Sequence, residues 1–240
     1  MADQKELFFN EGQFEYAMRR NNETVKSQIW TSLPCKIVSY NPQEQSCVVQ
    51  PLIQGKFKQP DGTWIDGDYP PVKDVPVRFV GGGGYSITHP VKVGDEGTIE
   101  FQARCIDNWW LNMGTSMGAD GKPAPSPTGS KPQAEMRMHD RNDGVFKSGV
   151  RSKQNWLQNV STDSVQIRSD DGKTVIDIAN GKITITATTV KINGELQVTG
   201  KVTAGFGTGD SVTVQQHTHN QANDSHGDSE QPTNPPNAGT

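Results

Sequence analysis

The sequence predicts an all-β chain in two parts, a small N-terminal antiparallel barrel and a C-terminal β-stem in which three copies intertwine. Three observations carry this. Short alternating or β-branched runs fill residues 31–114. A Gly- and Pro-broken stretch follows. From about 160 to 214 aliphatic residues recur with a period near two, glycines punctuate the run, and Phe206 is its one aromatic.

Residues 1–30 read as an arm, partly helical. Phe14, Met18, Val25 and Ile29 make a loose stripe with charges between them, either packed on its own domain or docking a partner. Residues 31–115 read as the barrel. Its strands are expected over 35–40, 46–50, 75–80 and 97–106, with Asn41-Pro42 as a turn. Pro76 lacks an amide proton, so its strand must lie at an edge or carry a bulge. Residues 116–144 read as a linker, and the mildly basic stretch 136–153, with Arg137, Arg141, Lys147, Arg151 and Lys153, as solvated surface.

Residues 145–214 read as the stem. Val165, Ile167, Val175, Ile176, Ile178, Ile183, Ile185, Val190, Ile192, Leu196 and Val198 give each short strand a narrow apolar row. One copy has nothing to cover those rows, and a buried Val or Ile is worth roughly 1.5–3 kcal/mol only when fully covered. Open strand edges also invite aggregation. Three chains wound about one axis remove both difficulties. A β-sandwich would need more large apolar and inward aromatic residues.

Composition excludes several classes. The net charge is -4 with no dense Lys/Arg stripe, which argues against phosphate-backbone binding and so against a nucleic-acid partner. No apolar run is long enough to span a bilayer and no signal peptide opens the chain, so synthesis as a soluble cytoplasmic product is expected. Cys35, Cys47 and Cys105 are odd in number and read as small buried apolar residues. Gly81 to Gly84 lacks the Lys-Ser/Thr of a phosphate loop.

One motif points to chemistry. His217 and His219 flank Thr218, and on an extended strand residues two apart face the same side. Two imidazoles are too few for a stable first-row metal, whereas three chains would supply six for an octahedral ion. Such a site would have no open position and would be structural. His226 reads as surface, as do His89 and His139, each expected to be hydrogen-bonded. No acid sits beside the triplet to serve as a base; Asp224 and Glu230 follow only in the tail, and no enzymatic activity is expected.

The strings LPCKIVSYNPQEQSCVVQP, VPVRFVGGGGYSITHPVKVGDEGTIEFQARCIDNWW and RMHDRNDGVFKSGVRS, followed by HTH, resemble in order and spacing the central spike proteins of contractile phage tails. That membrane-puncturing family joins an N-terminal OB-fold barrel to a trimeric β-helix spike. The resemblance implies a homotrimer whose barrel docks on the tail hub or baseplate and whose stem meets the host outer membrane transiently. It also implies virion localisation within a contractile injection system. Residues 215–240 then form a metal-binding tip and tail, with His217 and His219 ligating one iron ion per trimer on the three-fold axis through six His ligands. Gly94, Asp95 and Gly97 match the family's GD-x-G turn, where glycines allow positive φ and Asp95 bonds to backbone. The paired Trp109 and Trp110 are expected in the core and at subunit contacts. The expected function is mechanical puncture; the alternative is a trimeric fibre or adhesin gripping a cell-surface polysaccharide.

Overall fold

A computed structural model describes residues 4–209, 211–221 and 231–232, and divides the chain into two compact units, 1–159 and 160–240. Asp224, His226 and Glu230, and with them the path of the tail, lie outside the described residues.

The first unit opens with helix α1 (Gln4–Gln28). The chain then turns into β1 (Ser32–Asn41), β2 (Ser46–Pro51), the hairpin β3 (Gln54–Lys58) and β4 (Trp64–Asp68), and β5 (Val72–Arg78). A second hairpin, β6 (Val80–Gly82) and β7 (Tyr85–Ile87), precedes β8 (Glu96–Phe101). A short helix α2 (Asp107–Trp110) and a two-residue ladder of β9 (Ser116–Met117) with β10 (Pro123–Ala124) follow, before β11 (Gly144–Ser148).

Five of these strands close into a barrel in the order β1-β2-β5-β11-β8, with β8 returning to β1. All pairings are antiparallel except β5 with β11. This five-stranded closed barrel is OB-fold-like. Alternation sets its inside: Cys35 and Ile37, Cys47 and Val49, Ile99 and Phe101, and Phe146 point inward and are buried. Trp30 seals one end, edge-on to Tyr69 and Phe101, and donates its backbone N–H to the carbonyl of His139 at 3.0 Å.

The fifth strand is a finding that the sequence reading placed elsewhere. Residues Gly144–Ser148 pair with β8 and β5, whereas the sequence pattern assigns 145 onward to the stem. Residues 102–106, expected to extend β8, are not strand. Pro76 sits in a strand paired on both sides, so the bulge reading applies. Val75 pairs with Cys47 and Val72 with Val49, leaving Lys73 and Asp74 opposite Val48, with Asp74 at φ 55°.

Gly94 has φ 92° as expected, and Asp95 accepts the N–H of Lys92 at 2.8 Å. Gly97 needs no positive φ; a Cβ there would meet the Lys147 carbonyl and lie 2.7 Å from the Phe146 ring. Its smallness lets β8 and β11 lie close. Beyond β11, Glu96 at the head of β8 holds the departing chain: Ser152 N–H and Asn155 Nδ2 each donate at 2.6 Å, and Ser152 Oγ at 3.1 Å.

The second unit is a three-stranded antiparallel sheet, β12 (Val165–Arg168), β13 (Val175–Ala179) and β14 (Lys182–Thr186), followed by the two-residue ladder β15 (Thr203–Ala204) with β16 (Val212–Thr213). Its register is informative. Val165, Ile178 and Ile183 form one cross-strand row, and Ile167, Ile176 and Ile185 the next, on the same face. Gln166, Asp177 and Thr184 form a row on the other face, where Gln166 Nε2 and Ser164 Oγ donate to Asp177 at 2.6 and 2.7 Å. The six aliphatic side chains are between 37% and 67% exposed, while every buried apolar side chain among the described residues belongs to the first unit. Residues 187–202 carry no strand.

Candidate functional site

The barrel strands end at a cluster that no local motif announces. Cys105 follows β8, Asp107 opens α2, and Asp143 immediately precedes β11. Their ligand atoms all lie within 4.8 Å of one another. Arg137 reaches in from the preceding loop. Its Nε donates to Asp143 Oδ2 at 3.0 Å, and its Nη2 donates to Asp143 Oδ1 at 3.0 Å, Asp107 Oδ2 at 2.7 Å and Cys105 Sγ at 3.2 Å. Nη1 pairs with Glu135 at 2.9 Å. Asp143 is fully buried and also accepts the N–H of Ile106 at 3.1 Å.

The fork geometry explains why arginine stands here: a planar guanidinium with five N–H donors serves three carboxylates and a sulfur at once, five acceptor atoms against the three donors of a lysine. Its hydrogen bonds to Asp143 and Asp107 hold the guanidinium pKa above its ordinary value, against the pull of burial. A thiol with two carboxylates is a donor set of metal-ligand type. The cation it meets in this chain is Arg137, and an ion would have to displace that side chain. A cleft of about 840 Å³ opens beside the cluster, lined among others by Lys73, Asp74, Asp107, Trp110 and Arg137.

The six-imidazole iron site is overturned. Among the described residues, the group of three ligands that comes together is Cys105, Asp107 and Asp143, and it contains no histidine. His217 and His219 do meet each other, edge to face with ring centroids 5.2 Å apart. They lie beyond a turn and not on a strand. His217 Nδ1 lies 2.8 Å from the Val214 carbonyl. A carbonyl only accepts, so Nδ1 is the donor of this contact. The ligand group that this chain does bring together is built from sulfur and carboxylates.

The other singled-out residues have plain roles. His89 is held by Ser148 Oγ at 2.9 Å and stacks edge-on to Phe79. His139 is half-buried at φ 48°, and its Nδ1 is buried with no hydrogen-bond partner, contrary to the expected bonded surface residue. Trp109 is exposed on α2 and lies outside the barrel core, with Trp110 tilted beside it at 6.4 Å. The glycine run forms the exposed β6–β7 hairpin. Arg137, read as solvated surface, is the hub of the cluster. Its partners lie 6, 30 and 32 residues away, so no spacing in the sequence pointed to it. Cys35 and Cys47 are buried and free, their thiol pKa values pushed up to about 12, chiefly by desolvation.

Residues 33–124 match the family described as Phage protein Gp138 N-terminal domain. The chain carries that domain. The match runs from within β1 to β10, and so stops before the strand that closes the barrel. It is consistent with a phage tail- or spike-related protein, a non-catalytic role and a place in the virion. No curated protein matches the chain. Together with the domain, a buried cluster of metal-ligand type supports a structural, metal-associated role. No described helix is long and apolar enough to cross a membrane.

Proposed function

We propose that the chain is the central spike of a contractile phage tail baseplate. Three copies twine their C-terminal stems, the barrel docks on tail components, and the rod pierces the host outer membrane mechanically. The observation that carries this reading is the uncovered aliphatic face of the β12–β14 sheet. Six Val and Ile side chains in two ranks, backed by a polar face, need a partner of the same width and chemistry. Two further copies supply it in register, and the stretch 187–199, which carries no strand, then finds its strand partners in neighbouring chains.

The Gp138 N-terminal domain supports the phage setting. His217 and His219 stand in this reading as ligand candidates near the end of the stem, without the six-imidazole ion. The test is sedimentation equilibrium of the full chain. Three chain masses are expected, and a compact folded monomer would overturn the proposal.

A further inference from the structure

We infer that α1 is a second self-association element, an in-register parallel coiled coil formed with α1 of other copies of this chain. The inference rests on the three-chain reading for the number of helices and otherwise stands on its own observations.

Every position from 12 to 29 is exposed, so the described side chains of this helix are left uncovered by the rest of the chain. Most helical stability in proteins comes from packing one face rather than from propensity, and Gly12 within this helix costs about 1 kcal/mol relative to alanine. Phe14, Met18, Asn21, Val25 and Gln28 follow one another at spacings of four, three, four and three residues. That is the 3.5-residue period of a supercoiled seam. Arg19, Arg20, Glu23 and Lys26 all fall outside it.

Asn21 decides the occupant. Against an apolar groove on a foreign protein, its amide would be buried without a partner, at a cost. Against its own copies in parallel register, Asn21 faces Asn21, and each amide both donates and accepts. Gln28, also on the seam, pairs with its copies in the same way, and polar seam residues that match only in one register fix that register at some cost in stability, as asparagine does at the neighbouring a-type positions of coiled coils. The anchor below is short: three residues separate α1 from β1, and among them Trp30 is fixed to the barrel by two aromatic contacts and a backbone hydrogen bond. Barrels gathered about one axis would therefore present their helices side by side.

The test uses the full chain carrying Asn21→Cys, Val25→Cys or, as an outward control, Arg19→Cys, under mild copper-phenanthroline oxidation with non-reducing electrophoresis. The native thiols are buried, so the wild type sets the baseline. The two seam variants are expected to give covalent dimers, and the control to stay at the baseline. Equal cross-linking of Arg19→Cys, or none in either seam variant, overturns the inference. Sedimentation of the same samples separates the two readings. Three chain masses without seam cross-links removes the coiled coil alone; seam cross-links in a species of two chain masses removes the three-stranded stem alone.

Discussion

Arg137 grips Asp143 with two parallel hydrogen bonds of 3.0 Å, one to each carboxylate oxygen, and the acid it grips has no exposed surface. The same guanidinium reaches Asp107 and Cys105. It thereby ties together the end of β8, the start of α2 and the approach to β11. Arg137→Met would leave a buried carboxylate uncompensated, and removing one partner of such a pair costs about 3–5 kcal/mol. The barrel transition in urea, followed by tryptophan fluorescence, should shift down accordingly. The double variant Arg137→Met/Asp143→Leu should recover part of the loss.

The core thiols set an alkaline limit. Burial holds Cys35 and Cys47 protonated up to about 12, against 9.0 for the free group, with the neighbouring Cys47 adding to the effect on Cys35. Folding therefore favours the protonated form. The stabilisation is complete below pH 9 and is lost as pH rises toward 12, because the unfolded chain releases protons that the folded chain keeps. Denaturation midpoints should fall across that window, and Cys35→Ala/Cys47→Ala should flatten the fall.

The exit from the barrel should be sensitive to acid. Glu96 is held below its ordinary pKa of 4.5, first by the Ser152 backbone N–H and then by Asn155. A depressed carboxylate contributes above its unfolded pKa, and the contribution disappears as pH falls through the lower folded value. Amide exchange at Ser152 should quicken below pH 4.5, after correction for intrinsic rates, and Glu96→Gln should exchange faster at neutral pH. Unchanged protection in that variant would mean that the clamp does not hold the segment.

The two faces of the second-unit sheet should respond oppositely to charge. Ile178→Asp lies in the aliphatic ranks and should abolish self-association through the stem. Thr184→Asp, on the polar face, should leave the sedimenting mass unchanged. Loss of mass in both variants, or in neither, would show that the aliphatic face is not the contact.

Much of the barrel was legible because its strands alternate. CKIVSY and SCVVQ gave β1 and β2, and TIEF gave the part of β8 that buries Ile99 and Phe101. The closing strand was not legible. Gly144–Ser148 is five residues long, follows a broken loop, and buries only Phe146 as a large side chain. Periodicity needs more length than that to show. The Arg137 cluster was invisible for a different reason, since only the closed barrel brings positions 105, 107, 137 and 143 together. The histidines mark the opposite limit. Spacing brought two imidazoles side by side, but a coordination shell depends on what else arrives, and the ligand group that did assemble is built from sulfur and carboxylates.

The seating of β11 between β5 and β8, parallel to the first and antiparallel to the second, has a consequence for how the protein is made. A ribosome delivers four staves of the barrel first and the last one some forty residues later. Until residue 148 has left the exit tunnel, the nascent chain holds two bare sheet edges apart, with a gap that only Phe146 and its neighbours can plug. Long-range closure of this kind is slow, so the period between the fourth and fifth staves is when the growing polypeptide is most exposed to mispairing with its siblings on the same message.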